Sequence, residues 1–477
     1  MVFRLIIFVL AGFVSLPAVS YAQCGSITNF NSRIDKVEPD NYGDRPKIIS
    51  ILRALKTEFE GCKFEKDSVY AKLLHKIGIL EYQQNSFIAS EENIEYTKQA
   101  IRINLAGKKG SYLAYTTKSY YNLSALYQSV DRYKDALKYQ DSAIYYASRF
   151  PDFRNFFLVD ARFRKALLQF DLGDYQACVD GLTLAIRDEM QYGKSYRLVE
   201  LYSKRAEANQ FQDNFNEARK DADQAIKLGL EELIVYKTEP ETIAGIYDQL
   251  AVATKIKATT ITDVSQIEEY KKYADKAIEY RMKAGQTSKL SVDYIDLGAN
   301  YFNKFKDSRL AKLMYRNAIK YAGKDTSNLA FAYLNLGAAE FPEGRYDQAE
   351  RNYLEMLRLV GMPASSILEE LPLNKLMLIQ YTNLVQVFLN NKTELLLGIF
   401  KRTNNRKYLD AAISNSLLND RFIRQVRIEQ SGEISKLYWR KRTRSFFTNA
   451  LEACFLAKDY ARAFYFMEKS RAVLLAD

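Results

Sequence analysis

Hydrophobic and polar positions along this chain repeat with a period of about 34 residues. Each unit carries an aromatic residue, Leu, a small residue and Tyr at helical spacing, then a turn, then further small residues around an aromatic one. The clearest copy contains Tyr333, Leu336, Gly337, Gly344, Tyr346, Ala349 and Tyr353. Spacings of three and four residues indicate amphipathic helices, and a repeat of this length indicates stacked helix pairs. We therefore predict an all-α helical solenoid.

Including the copy above, six copies of the pattern occur in register along residues 67–365. They begin near Thr117, Val159, Val199, Ile243, Ser291 and Ala330. A weaker copy, with Ile77, Gly78, Tyr82 and Ala100, precedes them. One match would mean little, because Leu, Ala and Tyr at helical spacing occur in any bundle. Six or seven matches in register predict an array of six to seven helix pairs.

The repeated pattern resembles the tetratricopeptide repeat (TPR). In that family large residues fill the space between two helices, and small residues let the backbones approach closely. The resemblance implies a superhelix of antiparallel helix pairs that binds a peptide or protein in a concave groove lined by the first helix of each pair. The groove positions of the family correspond here to Tyr121, Gln128, Phe163, Phe170, Glu207, Phe302, Phe331 and Phe341.

Two interpretations of the apolar groove positions remain open. Phe302, Phe331 and Phe341 would suit an amphipathic helix or an extended peptide laid in the groove. A tight superhelix would instead bury them against its own neighbouring turns. The Lys/Asn/Arg set with which some TPR proteins hold a peptide C-terminus is not recognisable.

The first 22 residues have the features of a secretory signal. Arg4 precedes an apolar run at residues 5–14, and Ser20 and Ala22 supply small residues for cleavage. We expect an exported bacterial protein, periplasmic or extracellular, whose mature chain begins at Gln23 and has no stable membrane span. An uncleaved anchor and lipidation at Cys24 are the alternatives. Residues 23–66 are predicted to be a helical lead-in that caps the array.

The chain offers few groups for chemistry. His75 is the only histidine, and no CxxC, GxSxG or phosphate-binding glycine loop is present. We therefore predict no catalytic residue, no metal site and no cofactor, and hence no enzyme. Cys24 and Cys62 would form a disulfide after export or remain two free thiols, and the sequence favours neither. Cys178 and Cys454 are expected to pack as small hydrophobic residues.

The formal net charge is +11, and much of the excess lies between Lys401 and Arg444, with 12 Lys and Arg against 4 Asp and Glu. Such a patch attracts anionic partners. Export makes nucleic acid an unsuitable partner, so we interpret the patch as a solvated helical face or a docking surface.

Residues 366–477 are predicted to be a C-terminal region of longer helices, at about 374–390, 408–430, 434–457 and from 460 onward. The segments 435–439, 450–454, 459–464 and 467–475, which contain SKLYW and EKSRAVLL, resemble the end of the repeat region in bacterial CHAT-domain proteins. In that family a peptidase-like domain with a His/Cys dyad follows. Neither dyad motif is present here, so the resemblance implies a non-catalytic region, and Trp439 is expected to pack between its helices.

We therefore expect an exported scaffold that binds a peptide or protein partner in a TPR groove. One alternative is the non-catalytic arm of a CHAT-type cysteine peptidase whose catalytic domain is absent from this chain, with that domain as its partner. Another is the periplasmic sensor array of a signalling protein.

Overall fold

The computed structural model describes residues 24–37, 45–62, 64–84, 89–107, 111–130, 132–149, 157–192, 196–260, 264–379, 382–429 and 436–472. Over these residues the chain forms 21 α-helices and no β-strand, which confirms the predicted all-α class. The predicted export signal at residues 1–22 lies outside the described residues. None of the described helices is both long and apolar enough to cross a membrane.

The chain divides into two compact units, Met1–Ser119 and Tyr120–Asp477. The first unit contains α1 (Ile27–Asp35), α2 (Arg45–Gly61), α3 (Ser68–Gln84), α4 (Glu91–Ala106) and the beginning of α5 (Ser111–Ser129). The weak repeat copy corresponds to α3 and α4. Gly78 of α3 lies so close to α4 that a Cβ atom on it would be 3.3 Å from Oγ1 of Thr97.

Aromatic residues fill the core of the first unit. Phe30 of α1 and Phe59 of α2 are fully buried and meet edge to face, with ring centroids 5.5 Å apart. Tyr70 of α3 packs 5.2 Å from Phe59. A disulfide joins Cys24, before α1, to Cys62, after α2, with Cα atoms 5.7 Å apart. Of the two alternatives for these cysteines, the structure has the disulfide.

The second unit begins with six helix pairs, which correspond to the six copies of the sequence pattern. They are α5 with α6 (Tyr133–Ala147), α7 (Val159–Asp171) with α8 (Tyr175–Tyr192), α9 (Arg197–Phe211) with α10 (Phe215–Val235), α11 (Pro240–Thr260) with α12 (Val264–Lys283), α13 (Thr287–Asn303) with α14 (Ser308–Ala322), and α15 (Thr326–Ala339) with α16 (Tyr346–Leu359). We call the first helix of each pair helix A and the second helix B.

The small residue in each helix A has a direct structural reason. A Cβ atom on Gly298 of α13 would lie 2.6 Å from Cε1 of Tyr315 on α14, and a Cβ atom on Gly337 of α15 would meet the ring of Tyr353 on α16. Both tyrosines are buried. Glycine therefore lets the aromatic residue of helix B lie directly on the backbone of helix A.

The turns between the helices follow the sequence pattern where glycine is present. Gly173 after α7 and Gly344 before α16 adopt positive φ angles of 74° and 64°, which end a helix at little cost because glycine lacks a Cβ atom. At the matching point after α9, Asp213 takes a positive φ of 62° without being glycine. The repeat geometry therefore outweighs the local preference at that position.

Five further helices follow the array. They are the short α17 (Leu373–Leu376), α18 (Thr382–Thr403), α19 (Arg406–Glu429), α20 (Lys436–Leu456) and α21 (Tyr460–Ala472). Their apolar faces share one core with α15 and α16, centred on buried residues such as Phe388, Leu396, Phe422 and Phe446. The side chain of Trp439, expected to pack between these helices, lies outside what the structure describes.

The expectation of a helix at residues 374–390 is wrong. The structure ends α17 at Leu376 and runs α18 through to Thr403. The polar residues Asn391, Lys392 and Thr393, which follow the expected end, are all buried in the middle of α18. Contacts with neighbouring elements satisfy part of their polar groups, which local sequence does not reveal.

Candidate binding groove

The A helices α5, α7 and α9 are connected through their side chains. The guanidinium of Arg164 on α7 lies 4.6 Å from the ring centre of Tyr121 on α5. Between the next two A helices, Nη2 of Arg197 on α9 lies 3.0 Å from Oδ1 of Asp160 on α7. Tyr121, one of the sequence-predicted groove residues, therefore lies where adjacent A helices meet.

Three more predicted groove residues meet further along the same helices. Nε2 of Gln128 on α5 donates to Oδ2 of Asp171 on α7, at 3.4 Å. Nζ of Lys204 on α9 lies 5.1 Å from the ring centre of Phe170 and donates to Oε2 of Glu207 at 2.6 Å. Gln128, Phe170 and Glu207 thus belong to one wall built by three successive A helices.

The charges of this wall continue onto α11 and α13. The positive charges of Lys255 on α11 and of Lys304, directly after α13, both lower the pKa of Glu207. The charges of Lys255 and Lys204 act to lower the pKa of Asp296 on α13, and the charge of Glu207 acts to raise it. We call the surface that carries these charges the A-helix groove, formed by Gln128, Asp171, Glu200, Lys204, Glu207, Lys255, Asp296 and Lys304.

The acidic side chains of the A-helix groove have shifted pKa values. Asp171 and Asp296 are exposed, yet the surrounding protein desolvates them, which raises the pKa of Asp171 to about 6 and also raises the pKa of Asp296. Burial likewise raises the pKa of Glu200. Protein atoms around such a carboxylate replace part of its hydration, so its charge is solvated poorly. An incoming cation would compensate for that loss.

Glu207 differs from the other carboxylates. Burial acts to raise its pKa, but the neighbouring Lys204 and Lys255 outweigh that effect and lower it. Burial acts to lower the pKa of Lys204, but the negative charge of Glu207 outweighs the effect of burial, so the pKa of Lys204 is raised. Lys204 and Glu207 therefore form a stable ion pair in the groove, whereas Asp171, Glu200 and Asp296 are less well compensated.

The remaining predicted groove residues pack against hydrophobic cores. Phe163 lies partly buried on the cluster around Ala166 and Leu198. Phe302 packs in the same way on the cluster that contains Tyr301, and Phe331 and Phe341 pack on the C-terminal cluster. These contacts agree with the alternative in which the superhelix covers its own apolar positions.

Phe341 is also not part of a helix A. Helix α15 ends at Ala339, and residues Phe341–Glu343 form a short 3₁₀ turn because Pro342 cannot continue the hydrogen-bond pattern. The ring of Phe341 meets the buried ring of Tyr353 edge to face at 6.1 Å. The side chain therefore supports the packing of α16.

Phe341→Asp is expected to lower the stability of the second unit by about 1–2 kcal/mol, because it places a charge against a partly buried apolar surface. Urea unfolding followed by circular dichroism measures the effect. Val292→Asp is the matched control, since Val292 of α13 is exposed and its replacement should leave the unfolding midpoint unchanged. Equal midpoints for the two variants would show that Phe341 faces solvent.

Sequence reasoning missed most of the charged groups in the A-helix groove. Asp171, Lys204, Lys255, Asp296 and Lys304 were not among the predicted positions. A signal was present on α9, where Glu200, Lys204 and Glu207 recur at spacings of four and three residues and so share one helix face. The charges on α11 and α13 carry no comparable local signal.

His75 contacts a serine in the first unit. Its Nδ1 lies 2.9 Å from Oγ of Ser119, and burial lowers the pKa of His75 to about 4. Ser119 is fully buried, so its hydroxyl cannot reach a substrate. Among the described residues, no group of three or more His, Cys, Asp or Glu side chains could hold a metal ion. Cys178 and Cys454 are free thiols and buried.

Comparison with known proteins gives matches at the level of structure. No family model and no curated protein matches the chain. The apo form of RapI is 12% identical over 63% of this chain and 99% of its own, with a TM-score of 0.48. A Rap protein complexed with Competence and Sporulation Factor is 14% identical over 70% of this chain and 84% of its own, with a TM-score of 0.45.

A third similar structure comes from Pyrococcus horikoshii. It is a signal transduction ATPase with numerous domains that has a tetratricopeptide repeat sensor, and it is 13% identical over 95% of this chain and 66% of its own, with a TM-score of 0.45. At these identities and TM-scores the similarity carries no argument about function. What this chain binds has to be inferred from its own groove.

Proposed function

We propose that the chain is an exported scaffold that binds a peptide or protein segment in the A-helix groove. The observation that supports this most strongly is the meeting of charged side chains from α7, α9, α11 and α13 on one accessible face. Four helices from four separate pairs supply them, so the face exists only in the assembled solenoid. A solenoid that presents such a surface binds its partner along it.

The partner is a segment with at least one basic side chain. Asp171, Glu200 and Asp296 are carboxylates whose pKa burial raises, so a Lys or Arg placed beside them replaces solvation that the groove has removed. Lys204 acts to lower the pKa of all three, but burial outweighs it in each case.

A peptide-display library selected on the purified full chain tests this function. We expect enrichment of peptides that contain Lys or Arg, and we expect Glu200→Lys to weaken a selected peptide at least tenfold. Glu217→Lys is the control, because Glu217 lies exposed on helix B α10 and pairs with Lys220. Selection of acidic peptides, or equal loss in both variants, would contradict the proposal.

Binding of a basic peptide should strengthen about tenfold between pH 5 and pH 7, because Asp171, with its pKa of about 6, loses its proton over this range. Asp171→Asn should flatten the profile, whereas Asp180→Asn on α8, whose side chain accepts from Gln176, should not. Fluorescence anisotropy with a labelled peptide measures both. If the pH dependence of the affinity in Asp171→Asn equals that of the unaltered chain, Asp171 does not contact the peptide.

Export of the chain is supported by the disulfide between Cys24 and Cys62, since disulfides persist in oxidising compartments. Expression of the full chain in a bacterium, followed by fractionation and mass spectrometry, tests the proposal. A periplasmic or secreted product that begins at Gln23 is expected. A cytosolic product with reduced cysteines would contradict it.

A second candidate function is the non-catalytic arm of a CHAT-type peptidase. It is favoured by an exposed aromatic surface where α20 meets α21, at Phe455, Tyr460 and Phe464, whose exposed fractions are 71%, 66% and 60%. Exposed aromatic groups of this kind mark surfaces on which another protein packs. A purified CHAT-type domain should bind the chain and lose affinity for Phe464→Ser. Absence of binding would leave the scaffold function alone.

A further inference from the structure

A cleft of about 650 Å³ lies in the C-terminal region, formed by residues distinct from those of the A-helix groove. One wall is a single face of α19, on which Ala411, Asn415, Leu418 and Arg421 recur at helical spacing. Residues 368–371 and the side chain of Tyr465 on α21 complete the walls. We call it the α19 cleft. Its volume is in the range of small-molecule sites.

Lys392 of α18 lines the α19 cleft and is almost fully buried, with 4% of its surface exposed. Its Nζ donates to the carbonyl oxygen of Glu369 at 2.7 Å, and this is its one acceptor among the described residues. A Lys ammonium has three donors. Burial lowers the pKa of Lys392 to about 8, which agrees with a charge that the protein compensates only in part.

Asn415 of α19, also 4% exposed, lines the same cleft as Lys392. Its Nδ2 donates to the carbonyl oxygen of Leu389 at 2.7 Å and to Oγ1 of Thr393 at 2.8 Å. Lys392 is in the same turn of α18 as these two acceptors. Oδ1 of Asn415 is buried and has no hydrogen-bond partner in the part of the chain that the structure describes.

The walls of the α19 cleft therefore hold a buried ammonium with one hydrogen-bond acceptor and a buried amide oxygen without a donor among the described residues. Each such buried group costs free energy until it is paired. Carboxylates also line the cleft, and three of them have partners of their own: Glu369 accepts hydrogen bonds from Ser365, Asp410 from Arg406, and Asp420 from Tyr465 and Arg424. Glu369 and Glu370 offset the effect of burial on the pKa of Lys392 only in part. Glu370 is exposed.

The rest of the α19 cleft is suited to an apolar group. Leu368, Leu371 and Leu418 contribute aliphatic walls. At the rim, Arg421 is exposed and forms no ion pair or hydrogen bond with any described residue. A ligand that fills the site thus has a carboxylate, a neighbouring N–H donor and an apolar body.

We propose that the α19 cleft binds an α-carboxylate with an adjacent N–H group and an apolar side chain, as in a free apolar amino acid or the C-terminal residue of a peptide. Lys392 holds the carboxylate, and Oδ1 of Asn415 accepts the hydrogen bond of the N–H group. The side chain of the ligand lies between the leucines. The proposal stands independently of the function proposed for the A-helix groove.

Isothermal titration of the purified full chain with three probes tests the proposal. N-acetyl-leucine and leucine carry the carboxylate, and N-acetyl-leucinamide does not. We expect binding of at least one carboxylate probe at least tenfold tighter than that of the amide. Tighter binding of N-acetyl-leucine identifies a peptide C-terminus, and tighter binding of leucine a free amino acid. Binding of neither, or equal binding of the amide, overturns the proposal.

Two variants locate the site. Lys392→Met should weaken the preferred probe at least tenfold, whereas Lys401→Met, an exposed lysine later on α18 that pairs with Glu452, should not. Ser414→Phe should also abolish binding, because Ser414 is exposed on the wall of the α19 cleft and a ring there fills the space while Lys392 is kept. Undiminished binding in Ser414→Phe would place the probe elsewhere and overturn the proposal even if Lys392→Met fails to fold.

Discussion

Removal of the disulfide by Cys24→Ser together with Cys62→Ser is expected to destabilise the first unit by about 4 kcal/mol. The bond closes a loop with a sequence separation of 38 residues, and the entropy that such a loop removes from the unfolded chain corresponds to about 4 kcal/mol. The loss should concentrate in α1 and α2, which the bond ties together.

Hydrogen exchange followed by mass spectrometry resolves this effect by region. Amides of α1 and α2 should exchange faster in the double variant, and amides of α13 to α16 should not change. A reducing agent should reproduce the effect in the unaltered chain and add nothing to the double variant. If the reducing agent acts equally on both proteins, the stabilising bond is not the one between Cys24 and Cys62.

Gly298→Ala and Gly337→Ala are expected to destabilise the second unit by about 1–2 kcal/mol each. A methyl group at either position would overlap the buried ring of Tyr315 or Tyr353, and overpacking of this kind costs about 1–3 kcal/mol. The gain in helix propensity, at most about 1 kcal/mol, offsets part of it. The larger cost is expected for Gly337, where the approach is closer.

Gly245→Ala is the matched control for these substitutions. Gly245 also lies in a helix A, on α11. Apart from its own helix backbone, no atom lies within 4 Å of the position that a Cβ atom on Gly245 would take. The same change should therefore raise the stability by up to about 1 kcal/mol. Urea unfolding measures all three variants. If Gly298→Ala is as stable as Gly245→Ala, the helices α13 and α14 are further apart than the structure indicates.

A second substitution tests the cause of the effect. Tyr315→Leu shortens the side chain that meets the new methyl group, so Gly298→Ala should cost less in its presence than in the unaltered chain. The difference is the coupling energy between the two positions. No coupling would mean that the loss arises elsewhere in the helix pair.

Much of the fold could be predicted from the sequence because the information is local and repeated. Leu336, Gly337 and Tyr353 indicate how the two helices of one pair pack, and the matching residues of each other copy indicate the same packing. Gly173 and Gly344 mark turns because only a residue without Cβ adopts a positive φ angle at little cost. The expected bounds 374–390 are wrong because α18 continues to Thr403 through the buried polar residues 391–393, and that burial depends on neighbouring elements that local sequence does not reveal.

The candidate groove could be predicted only in part. Tyr121, Gln128, Phe170 and Glu207 lie where successive A helices meet. Phe163, Phe302, Phe331 and Phe341 satisfy the same spacing rule and pack on hydrophobic cores, as the ring of Phe170 also does. Spacing predicts the face of a helix on which a side chain lies but not how far neighbouring elements bury it.

By itself, the sequence determined that this protein is all α-helical, that its helices pair in register, and which small and aromatic residues meet within a pair. These properties depend on helical periodicity and side-chain size over one repeat. Only the tertiary structure decided that Cys24 pairs with Cys62, that Glu207, Lys255 and Asp296 gather on one face, and that Lys392 and Asn415 both line the α19 cleft. Each of these groups brings together residues more than twenty positions apart, and long-range packing sets the distance and the burial that give them their chemistry.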